Sequence, residues 1–137
     1  MLFVKKSTLP KSGKGLFTKK PIKKGEDVIE YKGDVIPWSE CLKREEKGKG
    51  DYFMYVSSKN CIDARPTRQH IARYANDAKG YAKVDGLTNN SFYETRGNRV
   101  FIVARKNIPA DSEIFVGYGK PYWDLLKEEM QEKEGRK

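Results

Sequence analysis

The chain has 137 residues and a formal net charge of +9, from 28 Lys and Arg against 19 Asp and Glu. This length supports one hydrophobic core but not two. No run of about 18 apolar residues could span a membrane, and the N-terminus lacks the apolar run of a signal peptide, so we expect a soluble intracellular protein. The two cysteines, Cys41 and Cys61, cannot make a disulfide framework, and with only His70 beside them no zinc site is plausible.

The positive charge is spread unevenly along the chain. Residues 1–50 carry +6, residues 51–122 carry +4 and residues 123–137 carry −1. A basic surface of this kind favours polyanions such as nucleic acid, mainly through phosphate contacts. A solvated lysine-rich surface explains the same composition equally well, so charge alone leaves both interpretations open.

Short strands separated by turns dominate the first half of the predicted structure. Apolar and β-branched residues between Gly- and Pro-containing turns predict these strands, and the segment before Gly48 favours a short helix. We expect strands at 2–4, 16–18, 27–31, 52–56 and 61–63, and the helix at 38–47.

The second half continues this pattern. A helical turn at 67–75 leads into a polar loop at 76–90, followed by a hairpin with strands at 91–94 and 99–104 around Arg96-Gly97-Asn98. A last strand at 114–116 precedes a helix that begins at Pro121, where proline is tolerated in the first turn. Many short strands and few helices, without an alternation of strand and helix, predict a mostly β fold and disfavour a doubly wound nucleotide-binding fold.

Three separated segments become informative when they are taken together. They are Gly13-Lys14-Gly15-Leu16-Phe17, Ala72-Arg73-Tyr74-Ala75-Asn76-Asp77 and Glu113-Ile114-Phe115-Val116-Gly117-Tyr118-Gly119, with Tyr31-Lys32-Gly33 and Ile62-Asp63-Ala64 between them. In this order they resemble the SET-domain family of protein lysine methyltransferases, and the very small viral members most closely. The resemblance implies a SET-type fold of several short sheets with small helices and a C-terminal helix. It divides the chain into a SET domain at 1–123 and a C-terminal helix and tail at 124–137.

The resemblance also implies S-adenosylmethionine as the cofactor. We expect no metal, since two cysteines and one histidine cannot supply the cysteine-rich zinc segment that many family members carry. Glycines beside Lys14 permit close backbone approach to a ligand, and an asparagine side chain offers one acceptor and two donors to a zwitterion. The family histidine that offers backbone atoms to the adenine is replaced by Asp77 here. The implied cofactor contacts are Lys14, Gly15, Leu16, Asn76, Asp77 and Trp123, the last covering the adenine.

Tyr118 matches the tyrosine that the family places where the sulfonium and the substrate amine meet, which implies the catalytic role. Gly117 replaces the aspartate usual before it. A lysine substrate must arrive as a neutral amine, and an apolar channel beside a sulfonium lowers its pKa from about 10.4. Tyr52, Val116 and Tyr122 are the implied channel residues, and the small Val116 leads us to expect methylation beyond the monomethyl state.

Two functions remain open from the sequence. The first is an S-adenosylmethionine-dependent protein lysine N-methyltransferase, acting on an extended lysine-bearing segment such as a histone tail. The second is a non-catalytic basic SET-fold module that binds nucleic acid or protein, for which Asp77 and Gly117 are the arguments. Taken singly, each aromatic residue also fits a core position. A histone substrate implies a nuclear or chromatin location, any other a cytoplasmic one, and a homodimer could complete the substrate groove.

Overall fold

The computed structural model describes residues 1–49, 52–57, 59–78 and 86–117. Within these ranges the fold consists of small sheets with little helix, as the sequence predicts. No helix in these ranges is both long and apolar enough to cross a membrane. The strands are β1 (Leu2–Lys6), β2 (Lys14–Thr18), β3 (Asp27–Tyr31), β4 (Asp34–Pro37), β5 (Phe53–Tyr55), β6 (Asn60–Asp63), β7 (Ser91–Arg96), β8 (Arg99–Ala104) and β9 (Val116–Gly117); the helices are α1 (Trp38–Glu46) and a 3-10 helix (Ile71–Tyr74).

The first sheet is the antiparallel hairpin β1–β2, with Phe3 opposite Phe17. Leu16 is fully buried in the main core, whereas the Phe3 and Phe17 rings stack on the other face with their centroids 5.5 Å apart. The turn between the strands passes through Gly13 at φ +64°, a conformation that favours glycine. The hairpin therefore projects this glycine turn from the edge of the core.

The second sheet has the strand order β3-β8-β7-β9. β7 and β8 form the predicted hairpin around Arg96-Gly97-Asn98, and its register pairs Arg96 with Arg99. Two ion pairs connect the exposed end of this hairpin to β3, since Arg96 binds Asp27 and Arg99 binds Glu30. β9 runs parallel to β7, with Ser91 opposite Val116.

The third sheet has the order β4-β6-β5 and packs against α1. Cys41 of α1 and Cys61 of β6 are joined in a disulfide, a crosslink that the sequence analysis did not anticipate. Beside it Arg44 Nη1 donates to Asp63 Oδ2 at 2.7 Å, and the Asp63 side chain is only 1% exposed. Together these contacts fix the helix to the sheet.

Residues 113–117 cross the centre of the molecule and bind three different partners in turn. Ile114 N–H donates to the carbonyl of Leu16, and the carbonyl of Phe115 accepts from the backbone N–H of Ser91. Val116 N–H then donates to the carbonyl of Asn76 at 2.9 Å. This crossing segment brings the glycine turn, the Asn76 segment and the residue before Tyr118 together.

Most predicted elements occur with small shifts in their ends. β3 has the predicted bounds, and α1 ends one residue earlier than expected. Within the predicted helical turn only Ile71–Tyr74 is helical, and β4 was not predicted. The predicted helix from Pro121 and the tail at 124–137 lie outside the described residues.

Candidate active site

A cavity of about 350 Å³ opens between the glycine turn, the 3-10 helix and the start of β5. The glycine turn forms one wall, and residues from the start of β5, the 3-10 helix and the segment after it form the others. Its lining residues are Ser12, Gly13, Lys14, Tyr52, Arg73, Tyr74 and Asn76. Three of them, Lys14, Tyr52 and Asn76, were predicted as site residues from the sequence.

Asn76 connects the cavity to the glycine turn. Its Nδ2 donates to the carbonyl oxygen of Lys14 at 3.1 Å, and its own backbone carbonyl accepts from Val116 N–H at 2.9 Å. A parallel bridge joins it to Phe115. The side chain of Asn76 is therefore held at the cavity wall by backbone contacts on two sides.

A buried carboxylate supports the glycine turn from behind. Glu113 is only 6% exposed and accepts hydrogen bonds from Ser7 Oγ at 2.7 Å and from both the backbone N–H and the hydroxyl of Thr8, at 2.8 and 2.7 Å. A Cβ at position 15 would collide with this carboxylate, so Gly15 is required for the close approach. Ser7 N–H in turn donates to the carbonyl of Gly13 at 2.8 Å.

Arg73 organises the aromatic wall. Its guanidinium carbon lies 4.6 Å from the Tyr52 ring centroid and 4.7 Å from that of Tyr74, which is within cation–π range. Nη1 donates to the carbonyls of Ala64 and Arg65, and Nη2 donates to the Tyr74 hydroxyl at 2.7 Å. This last hydrogen bond is the main reason why the pKa of Tyr74 lies below its ordinary value.

The other predicted residues occupy different environments. Gly15 and Leu16 are buried behind the turn and are not among the residues that line the cavity; the carbonyl of Leu16 accepts a hydrogen bond from Ile114 N–H. The Asp77 carboxylate accepts from Asn89 Nδ2 at 2.9 Å. Val116, predicted for the substrate channel, is 1% exposed and packs in the main core.

Three predicted residues lie outside the described part of the chain. These are the catalytic candidate Tyr118, the channel candidate Tyr122 and the adenine-covering candidate Trp123. The described chain reaches Gly117, so the backbone that leads into Tyr118 is placed. The roles of the three residues remain predictions.

The sequence alone indicates no role for Arg73, Tyr74, Ser12 or Glu113, although three of them belong to the SET-like motifs. Arg73 and Tyr74 precede Asn76 by three and two positions, so their place in the motif was the available signal. Nothing local in the sequence shows that Glu113 faces Ser7 and Thr8, because the contact spans more than one hundred residues.

Comparison with known proteins agrees with this geometry. The model of the SET domain family matches residues 13–119. The chain therefore belongs to the SET domain family.

Two curated relatives illustrate the similarity. The chain is 28% identical over 116 residues to the N-lysine methyltransferase KMT5A-A of Danio rerio, covering 78% of this chain and 32% of the relative. It is 30% identical over 135 residues to the histone-lysine N-methyltransferase EZH2 of Chaetomium thermophilum, covering 94% of this chain and 9% of the relative. This chain thus spans about a third or less of these relatives.

A solved structure shows the same fold. The chain aligns with one chain of ctPRC2 in an autoinhibited conformation bound to S-adenosylmethionine, with a TM-score of 0.72 and 28% identity. The alignment covers 97% of this chain and 17% of that chain. The predicted SET-type architecture is confirmed by this match.

Proposed function

We propose that the protein is an S-adenosylmethionine-dependent protein lysine N-methyltransferase. The observation that carries the proposal is the cavity in which the Asn76 amide and the Lys14 carbonyl lie side by side, in a chain that belongs to the SET domain family. The methyltransferase names of the relatives and the S-adenosylmethionine-bound structural neighbour support it. The non-catalytic module is the less favoured function.

The cavity fits the proposed cofactor by its chemistry. The Lys14 carbonyl and the Asn76 amide can bind the ammonium and carboxylate of its amino-acid end, and no side chain at Gly13 obstructs the turn. Gly13 has no atom within 4 Å of the position where a Cβ would lie. When bound, S-adenosylmethionine supplies an electrophilic methyl group on a sulfonium.

The residues of this chain would contribute positioning rather than covalent catalysis. The Tyr52 ring at the cavity wall can attract cationic groups, and Arg73 holds that ring in place. Tyr118 is proposed to orient the substrate amine, and Tyr122 and Trp123 to complete the channel and the adenine site. Alignment of amine, methyl and sulfur for in-line displacement would then account for most of the rate enhancement.

The proposed substrate is an extended protein segment that carries a lysine. β5 is the end strand of the third sheet among the described residues, so a peptide can add to it by backbone pairing while its lysine enters the cavity region. Histone-lysine methyltransferases among the relatives make a histone tail the first candidate. A histone substrate would place the protein at chromatin, and another substrate would be met in the cytoplasm.

Transfer of labelled methyl groups to a peptide panel tests the activity. The panel would contain histone-tail peptides and matched peptides with lysine replaced by arginine. We expect label only on lysine peptides, with loss in Asn76→Ala and retention in Asn107→Ala, which removes a hydrogen bond of similar length to Lys24 N–H away from the cavity. Cofactor binding without transfer to any lysine peptide would contradict the lysine substrate.

We also propose a nucleic-acid contact through a lysine face. Residues 1–25 contain eight lysines and no acidic residue. The loop that follows β2 and the loop that follows β8 lie side by side, because Ile22 and Ile108 exchange backbone hydrogen bonds of 2.9 and 2.7 Å. They bring exposed cations into one area, which we call the lysine face: Lys19, Lys20, Lys23, Lys24, Arg105 and Lys106.

Fluorescence anisotropy with a labelled DNA duplex tests the lysine face. Replacing Lys19, Lys23 and Lys24 with alanine should make the negative slope of log affinity against log salt shallower, by about 0.9 for each phosphate that is no longer neutralised by a lysine. Replacing Lys43, Lys47 and Lys49 changes the net charge by the same amount, but it should leave the slope steeper than in the lysine-face variant. Equal effects of the two sets would contradict binding through the lysine face.

A homodimer remains a prediction, and sedimentation equilibrium would test it.

A further inference from the structure

The two departures from the family pattern, Asp77 and Gly117, meet in the structure. A Cβ built at Gly117 would lie 2.6 Å from Asn89 Nδ2 and 3.9 Å from Asp77 Oδ2. The space beside Gly117 is therefore filled by the amide of Asn89. Any larger residue at this position would displace that amide.

Asn89 binds the segment that follows the cofactor asparagine. Its Nδ2 donates to Asp77 Oδ1 at 2.9 Å, and its Oδ1 accepts from Ala78 N–H at 2.8 Å. Ala78 is fully buried, in a small cluster with Leu9 and Phe115. The donor and the acceptor of one amide thus hold two consecutive residues.

The next residue binds the crossing segment in the same manner. Asn90 is 8% exposed; its Nδ2 donates to the Glu113 carbonyl at 2.9 Å, and its Oδ1 accepts from Phe115 N–H at 3.0 Å. The pair Asn89 and Asn90 therefore connects the segment after Asn76 with the strand that leads to position 118. Two adjacent amide side chains thus set the distance between these two segments.

We propose that Asn89 is a positioning residue, which fixes the Asn76–Ala78 segment against Gly117 in place of a side chain at 117. The inference rests on the proposed methyltransferase function, in which these two segments carry the cofactor asparagine and the catalytic tyrosine. Gly117 is then an adaptation to Asn89 and Asp77. The replacement of the family's histidine and aspartate by Asp77 and Gly117 is compatible with activity, because Asn89 keeps the two segments in contact.

An exchange of the two side chains tests this role. Asn89→Asp places a second carboxylate against Asp77 and removes the donor, whereas Asp77→Asn combined with Asn89→Asp restores a donor–acceptor pair in the opposite direction and keeps an acceptor for Ala78 N–H. We expect Asn89→Asp to weaken S-adenosylmethionine binding and to lower kcat, each about tenfold, with little change in the KM for peptide. The double variant should recover most of both losses.

Hydrogen exchange at the Val116 amide gives a readout that does not depend on activity, since this N–H bonds to the Asn76 carbonyl. Its protection should fall in Asn89→Asp and return in the double variant, while Asn107→Ala should leave it unchanged. A double variant no better than Asn89→Asp, or unchanged protection and kcat in Asn89→Asp, would overturn the proposal. If protection follows the pattern but the unaltered protein binds no cofactor, the proposed function fails and the positioning contact stands.

Discussion

Replacing Glu113 with alanine removes the carboxylate that joins the glycine turn to the crossing segment. Three hydrogen bonds to a charged, buried acceptor disappear, those from Ser7 Oγ and from the N–H and hydroxyl of Thr8. Hydrogen bonds to charged groups contribute about 1.5–3 kcal/mol each. Thr8 is exposed, so water replaces part of its contribution, and we expect a total loss of about 3 kcal/mol in the free energy of unfolding.

Urea unfolding followed by circular dichroism measures this loss. Glu94→Ala is the matched control, because it removes a carboxylate that pairs with Arg96 in an exposed setting at 2.6 Å, where ion pairs contribute at most about 1 kcal/mol. Glu113→Gln keeps the shape and one acceptor and should lose about half as much as Glu113→Ala. S-adenosylmethionine affinity should fall in parallel, because the turn is loosened. A loss in Glu113→Ala no larger than in Glu94→Ala would refute the buttressing role.

Two substitutions and one analysis of the reaction products provide further tests. The lysine in Arg73→Lys cannot replace the planar guanidinium that contacts the Tyr52 and Tyr74 rings, so the free energy of unfolding in urea should fall by about 1–2 kcal/mol. An unchanged unfolding midpoint would contradict a stabilising role for these contacts. The Arg96 guanidinium holds the pKa of Asp27 below its ordinary value of 3.8, so its stabilisation is complete above that pH and is lost as the pH falls below it; Asp27→Asn should flatten the acid limb of the unfolding curve, and an identical limb would contradict the pairing. Mass spectrometry of a long incubation should detect di- or trimethyl lysine, as the resemblance predicts from the small side chain of Val116, whereas monomethyl lysine alone would contradict that prediction.

Local patterns predicted most of the secondary structure. The strand Asp27–Tyr31 and the turn at Gly97 could be predicted because each depends on a few neighbouring residues. β4 was missed because it ends in Pro37, which argues against a strand interior. Pro37 is tolerated here because β4 lies at the end of its sheet, and it pairs with Asn60.

The crossing segment could not be predicted in full from the sequence. A strand was expected at 114–116, but the regular strand is only Val116–Gly117, because the segment changes partner almost at every residue. This pairing depends on contacts between residues that are far apart in the sequence, which the spacing of apolar residues along the chain does not indicate. Asp77 and Gly117 likewise read as two separate departures, and only the structure shows them on either side of Asn89.

Calorimetric titration with S-adenosylmethionine tests the proposed function most directly. The titration would compare the unaltered protein with Asn76→Ala and Tyr118→Phe. We expect micromolar binding that is lost in Asn76→Ala, whose amide borders the cavity, and largely retained in Tyr118→Phe. Absence of binding to the unaltered protein, or full affinity in Asn76→Ala, would contradict the assignment of this cavity to the cofactor.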